Sequence, residues 1–343
     1  MGNANTTGKW GTAGLFIGRF IAILIISAAS YWVIRVMLGA STASLPPMST
    51  PPVFSVNYAM STTNVSALTI MNSMPADMKS IKAAGFDGVK VGFNFENSNS
   101  LQQAVVEKAA NQGLYPIGEL SGVGSKPPSR AFTTDEMNDW ESFTRQTVKQ
   151  LKNSVYFWEV WGEPNMTERP GRYGTPAEYL ELLKNTSTII RAENPNAKII
   201  VNSDMGDRES SAFTTEFFQL NPSPYFDILS VHPYGGEPWI DQTVYKQHIL
   251  DVQAAMKQYG INKPLMISEI GQPSEPIGVN EQANLALYAF QTAHEMGLPI
   301  VWISYSDRLV PTIESRGGWG LVDESGNVKP ALTAVSNYIH SVK

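Results

Sequence analysis

Residues 155–165 read VYFWEVWGEPN, residues 175–193 read TPAEYLELLKNTSTIIRAE, and residues 198–202 read KIIVN. The first and last are short apolar runs of strand length. The middle one opens on Thr175 with Glu178 three positions later and Pro176 at the first helical position, the signature of a capped helix start. Together they make one strand–helix–strand unit, which implies parallel strands. The same unit recurs outward in both directions. Strands are predicted over 54–58, 88–93, 114–118, 155–161, 198–202, 226–231, 264–268 and 299–303. Helical segments fall between and after them at 75–84, 101–112, 134–152, 176–193, 212–220, 244–259, 281–296 and 329–341. Thr133 and Glu136 form a second capping pattern, and Gly85, Gly113, Gly260 and Gly297 each follow a helix, where a left-handed residue ends it. Eight such units point to a (β/α)8 barrel, with an open doubly wound sheet as the alternative. No glycine-rich phosphate loop follows the first strand, which weighs against that alternative.

The rest of the chain bounds the chemistry. Its 343 residues contain no cysteine, which removes disulfides, thiolate catalysis and cysteine metal sites. Of the 25 lysines and arginines, Lys9, Arg19 and Arg35 precede Asp77, and no acid does; the other 22 face 31 acids. An acidic body repels polyanions, so nucleic acid is not an expected partner. Residues 20–34 are uncharged and almost wholly apolar between Arg19 and Arg35. Extended to 15–38, this segment would span about 36 Å as a helix, enough to cross a bilayer. The expected organisation is a short cytoplasmic N-terminus (1–14), a signal-anchor or transmembrane segment (15–38), a Pro/Ser/Thr-rich linker (39–53) and the barrel (54–343). The cations flanking the apolar centre favour an external barrel, anchored, or secreted if the small residues at 39–44 are a cleavage site.

In such a barrel the chemistry lies just past the C-terminal ends of the strands. The fourth strand runs into Glu163, with Pro164 ending it, and period-2 alternation would put Phe157, Glu159, Trp161 and Glu163 on one face. Glu159, deeper, is expected to be a buried structural carboxylate. The seventh strand, in PLMISEIG at 264–271, is apolar until Glu269. Two carboxyl groups facing each other across a sugar are what glycosidic bond hydrolysis requires, one as acid and one as nucleophile or base. The sixth strand ends in His232-Pro233-Tyr234, whose side chains can hold Glu269 ionised or bind a sugar hydroxyl. Asn202 ends the fifth strand, and Trp161, Trp239, Trp302, Tyr305 and Trp319 offer stacking faces. None of the four histidines forms H-x-H or H-E-x-x-H, and no G-x-S-x-G elbow exists, so neither a metal hydrolase nor a serine hydrolase is expected. No organic cofactor is implied.

These motifs resemble clan A retaining glycoside hydrolases, nearest to families 39 and 5. The resemblance lies in Trp158-Glu-Val-Trp-Gly-Glu163-Pro-Asn, Ile267-Ser-Glu269-Ile-Gly, His232-Pro-Tyr234 and Trp302, with 106 positions between the two glutamates. It implies Glu163 as acid/base and Glu269 as nucleophile, a β-linked carbohydrate substrate, and double displacement through a glycosyl-enzyme. It also implies substrate contacts from His232, Tyr234 and Trp302; Trp161, Asn202 and Tyr305 are expected to join them from their positions at the strand ends. One departure stands out: the family usually has Asn just before the acid/base, where it binds the 2-hydroxyl of the reacting sugar, and this chain has Gly162. Asn202 is a candidate substitute. The family's arginine near the second strand has no clear match, Lys90 being the nearest cation. A transglycosylase and a non-catalytic glycan-binding barrel are the other expectations these residues leave open.

Overall fold

A computed structural model describes residues 44–58, 66–95, 99–121, 130–165, 173–203, 208–236, 239–310 and 317–343. The chain divides into two compact units, Met1–Ser41 and Thr42–Lys343. The anchor or signal segment expected at 15–38 lies outside the described residues, among which no helix is long and apolar enough to cross a membrane.

Eight parallel strands close into a barrel in sequence order: β1 (Phe54–Asn57), β2 (Gly88–Asn94), β3 (Tyr115–Ser121), β4 (Phe157–Val160), β5 (Lys198–Asn202), β6 (Ile228–Val231), β7 (Leu265–Ile270) and β8 (Ile300–Ile303), with β8 pairing back onto β1. A helix follows each strand: α1 (Ala67–Ala83), α2 (Ser100–Asn111), α3 (Thr134–Leu151), α4 (Pro176–Glu193), α5 (Arg208–Gln219), α6 (Gln242–Gln258), α7 (Val279–Glu295) and α8 (Pro330–Val342). Both expected capping boxes are formed: Thr133 and Thr175 each accept from the backbone N–H three residues on, and Glu136 and Glu178 reach back to the cap. Gly85, Gly113, Gly260 and Gly297 take positive φ past their helices.

Low in the barrel, Ile117, Phe157, Ile200, Ile228, Met266 and Val301 pack into one apolar cluster. Leu45 joins it; its backbone N–H donates to Asn153 O at 3.1 Å, and its carbonyl accepts from the Tyr156 hydroxyl at 2.9 Å. Pro51 and Pro52 are buried as well. The proline-rich stretch read as a spacer is therefore seated on the body at Leu45, Pro51 and Pro52, with Pro46, Pro47, Ser49 and Thr50 exposed between them. Its composition concealed this, because the one leucine that seats it carries no periodic pattern.

Above the apolar cluster the barrel turns polar. Lys90 on β2, fully buried, places Nζ 2.7 Å from Glu119 Oε2 on β3 and 2.6 Å from Glu159 Oε2 on β4. Glu159 Oε1 accepts from Ser230 Oγ (2.9 Å, β6) and Ser268 Oγ (2.6 Å, β7). Burial alone would push the Glu159 carboxyl up, but the Lys90 ammonium, the His232 ring and these donors hold it below its ordinary value. Desolvation likewise works against the Lys90 charge, and its carboxylate neighbours outweigh it. Glu159 is thus the structural carboxylate the strand pattern suggested.

Candidate active site

Immediately above this polar floor stand the side chains of β4, β6 and β7. Strand β4 stops at Val160, and the two residues that follow it at alternate positions, Trp161 and Glu163, adopt φ of 62° and 51°. Left-handed backbone at non-glycine residues costs of order 1 kcal/mol or more and must be enforced by packing. Trp161 provides that packing. It is fully buried against Tyr173, Phe132 and Trp140, at ring-centroid distances of 5.0, 5.7 and 5.8 Å. The alternation expected through Glu163 therefore breaks at Trp161, whose ring leaves the barrel face while Glu163 stays partly exposed, at 25 %.

Glu163 Oε1 lies 2.9 Å from His232 Nδ1, and His232 Nε2 lies 2.9 Å from Ser268 Oγ. Ser268 has one proton, and it goes to Glu159, so Ser268 accepts from His232 and fixes a proton on Nε2. Desolvation of the buried imidazole favours its neutral form, yet the hydrogen bond to Glu163 and the charges of Glu269 and Glu163 raise its pKa to about 9. The second ring proton then sits in the Nδ1–Oε1 link, where Glu163 can receive it or return it. That is the pair of states an acid/base residue alternates between.

Glu269, half-buried at the end of β7, accepts from the Tyr234 hydroxyl at 3.1 Å. Its pKa is raised: burial is the largest cause and repulsion from Glu163 adds to it, against the pull of His232 and Lys90. One ligating atom from each of Glu163, His232 and Glu269 falls within 4.8 Å of the other two, so the two carboxylates face each other closely. The same three atoms are also spaced to admit a cation. Beside Glu269, Tyr234, Trp239 and Trp319 form a chain of edge-on rings, 5.4 and 5.3 Å apart, with Tyr234 and Trp239 half-buried.

Of the residues expected here, the structure brings together Glu163, Glu269, His232 and Tyr234. It does not bring Trp161, for the reason above. Trp302 is fully buried on β8 and packs outward against Phe290 of α7, because Val301, not Trp302, faces the barrel interior. Tyr305 is 2 % exposed and stacked on Tyr58, in a cluster where Tyr58 and Arg308 both donate to Asp77 of α1. Asn202 ends β5 but is 1 % exposed, with Nδ2 3.5 Å from Ser230 Oγ. The sequence reading passed over Glu119, Ser230 and Ser268 and gave Lys90 no role. The signal available was a lysine and a glutamate inside otherwise apolar strands, each needing a partner.

A family model for cellulase (glycosyl hydrolase family 5) matches residues 58–308. Solved structures with the same fold include a family 39 glycoside hydrolase from the gut symbiont Bacteroides cellulosilyticus WH2 (TM-score 0.66, 17 % identity, 85 % of this chain and 64 % of that one). They also include GH5_18 from Streptomyces cattleya in complex with GlcNAc (TM-score 0.67, 18 % identity, 85 % and 80 %). Xylanase 10B from Thermotoga maritima aligns at TM-score 0.59 and 14 % identity, over 85 % of this chain and 95 % of that one. This chain thus spans less than two thirds of the family 39 enzyme. No curated protein sequence matches it. With the matched model covering most of the chain and the paired glutamates at the ends of β4 and β7, the protein belongs to glycosyl hydrolase family 5, within clan A.

Proposed function

We propose that this protein is a retaining glycosidase acting on a β-linked poly- or oligosaccharide. The observation that carries the reading is the approach of Glu163 and Glu269 within 4.8 Å. Retaining enzymes hold their two carboxyl groups about 5–5.5 Å apart, whereas inverting ones need about 6.5–9.5 Å to admit a water between acid and base. Glu269 attacks the anomeric carbon, and Glu163 gives its proton to the leaving oxygen. In the second step Glu163 takes a proton from water, which displaces Glu269 and retains the configuration. Tyr234 donates to Glu269 and favours its ionised form; His232 supplies the proton reservoir beside Glu163. Tyr234 and Trp239, backed by the buried Trp319, offer the apolar wall that a pyranose ring needs.

The charge pattern around residues 15–38 supports, as a proposal, an anchored protein with its barrel outside the cell. Partition into the membrane fraction, with protease access to the barrel in intact cells, tests it.

For the activity, the test is reducing-end release by residues 45–343 across β-glucans, mannans, xylans and galactans, with Glu269→Gln alongside and the product anomer read by proton NMR. Release of the β-anomer by the wild type, and none by the variant, is expected. Release of the α-anomer, or turnover surviving in Glu269→Gln, overturns the reading.

A further inference from the structure

Gly162, the departure from the family pattern just before the acid/base, sits directly beside a third carboxylate. A side chain begun at Gly162 would place its Cβ 3.1 Å from Glu119 Oε1 and 3.5 Å from Glu119 Cδ. Glu119 therefore fills the space that a side chain before the acid/base would enter. It comes from β3, in register with Glu159 on β4, so it points into the barrel as part of the polar floor, with Oε1 on the side of Gly162. Its Oε2 is held by Lys90 at 2.7 Å, whereas Oε1, the atom nearest Gly162, makes no other hydrogen bond among the described residues. The side chain retains 18 % exposure, whereas its partner Lys90 has none. It also stands close enough to Glu269 to raise that carboxyl's pKa.

We propose that Glu119 is a substrate-binding residue that accepts a hydrogen bond from the C2 substituent of the reacting sugar, and so selects a free hydroxyl or amino group there. The inference rests on the reading of Glu163 and Glu269 as acid/base and nucleophile. Their positions put the anomeric carbon between β4 and β7. The groups on one side of that point are His232 and Tyr234 of the β6 end, both engaged with the carboxylates. Glu119 occupies the other side, next to the backbone that carries Glu163. The carboxylate that Lys90 holds offers acceptors, so it does not pair with the ring oxygen, which also only accepts; it requires a donor. The C2 hydroxyl sits on the carbon bonded to the anomeric carbon, and its O–H becomes a stronger donor as positive charge grows there in the transition state. A negatively charged substituent at C2 would be repelled.

The experiment has two stages. Reducing-end release, wild type against Glu269→Gln, first identifies the sugar; a wild type without activity, or an active variant, overturns the glycosidase reading itself and this inference with it. On that sugar, kcat/KM is then measured for the 4-nitrophenyl β-glycoside and its 2-deoxy counterpart, in wild type, Glu119→Ala and Glu119→Gln. The comparison uses the ratio between the two substrates, because 2-deoxy glycosides are intrinsically more labile. Glu119→Ala should lose about 10- to 100-fold on the 2-hydroxy substrate, the worth of a hydrogen bond to a charged group, and little on the 2-deoxy one. Glu119→Gln, which keeps the length and the Lys90 contact, guards against misfolding and should fall between. The double variant Glu119→Ala/Gly162→Asn, with room for the new side chain, should regain part of the 2-hydroxy preference, while Gly162→Asn alone crowds Glu119 and lowers it. Equal losses on both substrates, or none on either, overturn the role of Glu119 and leave the glycosidase standing.

Discussion

Ser268 has a single hydroxyl proton, and its 2.6 Å contact with Glu159 uses it; this one assignment orders the site from floor to mouth. Because Ser268 must accept from His232, the imidazole keeps Nε2–H, and only the Nδ1 side is free to exchange with Glu163. The hydrogen bond to Glu163 and the charges of Glu269 and Glu163 raise the pKa of the ring, so its protonation bears on the fold as well as on the chemistry. A histidine whose folded pKa is about 9, against an ordinary 6.5, adds stability that is fully present below pH 6.5 and is lost as pH rises through 9. The full difference is on the order of 3 kcal/mol. Unfolding free energies by urea at pH 6 and pH 9.5 should fall by about that much more in wild type than in His232→Gln. Parallel pH curves for the two proteins would show that the ring is neutral in the native state.

At the scale of elements, the turn that ends β4 aims Glu163, and it is held by an aromatic cluster outside the barrel. Trp161→Ala should cost about 3–5 kcal/mol from the lost ring. It should also lower kcat/KM more than Trp161→Phe does, since the left-handed backbone at 161 and 163 then loses its anchor. Full activity in a folded Trp161→Ala protein would contradict that link. The same turn marks where the sequence stopped being legible. Among the described residues the eight strands and eight helices announced themselves, through short apolar runs, capping boxes at Thr133 and Thr175, and glycines past the helices, because these signals are local. The exception is the first half of α1, which starts at Ala67 and carries Pro75 inside it rather than at its start. Glu163 and Glu269 were legible as carboxylates closing apolar strands. Trp161 was misdirected because period-2 alternation fixes a face only while the strand lasts, and Trp302 and Tyr305 because an aromatic near a strand end reads the same whether it faces the mouth or the surrounding core. Phase at β8 was set by Val301 packing inward, and at β4 by a positive φ, neither of which composition reveals. Glu119 was missed because its significance depends on Gly162 one strand away.

Across the whole molecule, Lys90 is the group that joins the barrel to its site. Its ammonium links β2 to β3 and β4, and Glu159 carries the connection on to β6 and β7 through Ser230 and Ser268. Buried pairs of this kind add little net stability when intact, but removing one partner strands a charge in low dielectric. Lys90→Met should destabilise by about 3–5 kcal/mol. Lys90→Met with Glu159→Gln should recover much of that in denaturant titrations, and equal stability of the single and double variants would contradict the pairing. The barrel thus presents Glu163 and Glu269 from opposite walls on a floor where Lys90 is shared between Glu119 and Glu159. The most direct test of that arrangement is to trap the covalent intermediate. Wild type and Glu269→Gln are incubated with 2,4-dinitrophenyl 2-deoxy-2-fluoro-β-glycosides of glucose, mannose, xylose and galactose, followed by intact mass and peptide mapping. A single glycosyl ester on Glu269, absent from Glu269→Gln, is the predicted result. A label on any other residue, or an equal label on the variant, would contradict Glu269 as the nucleophile.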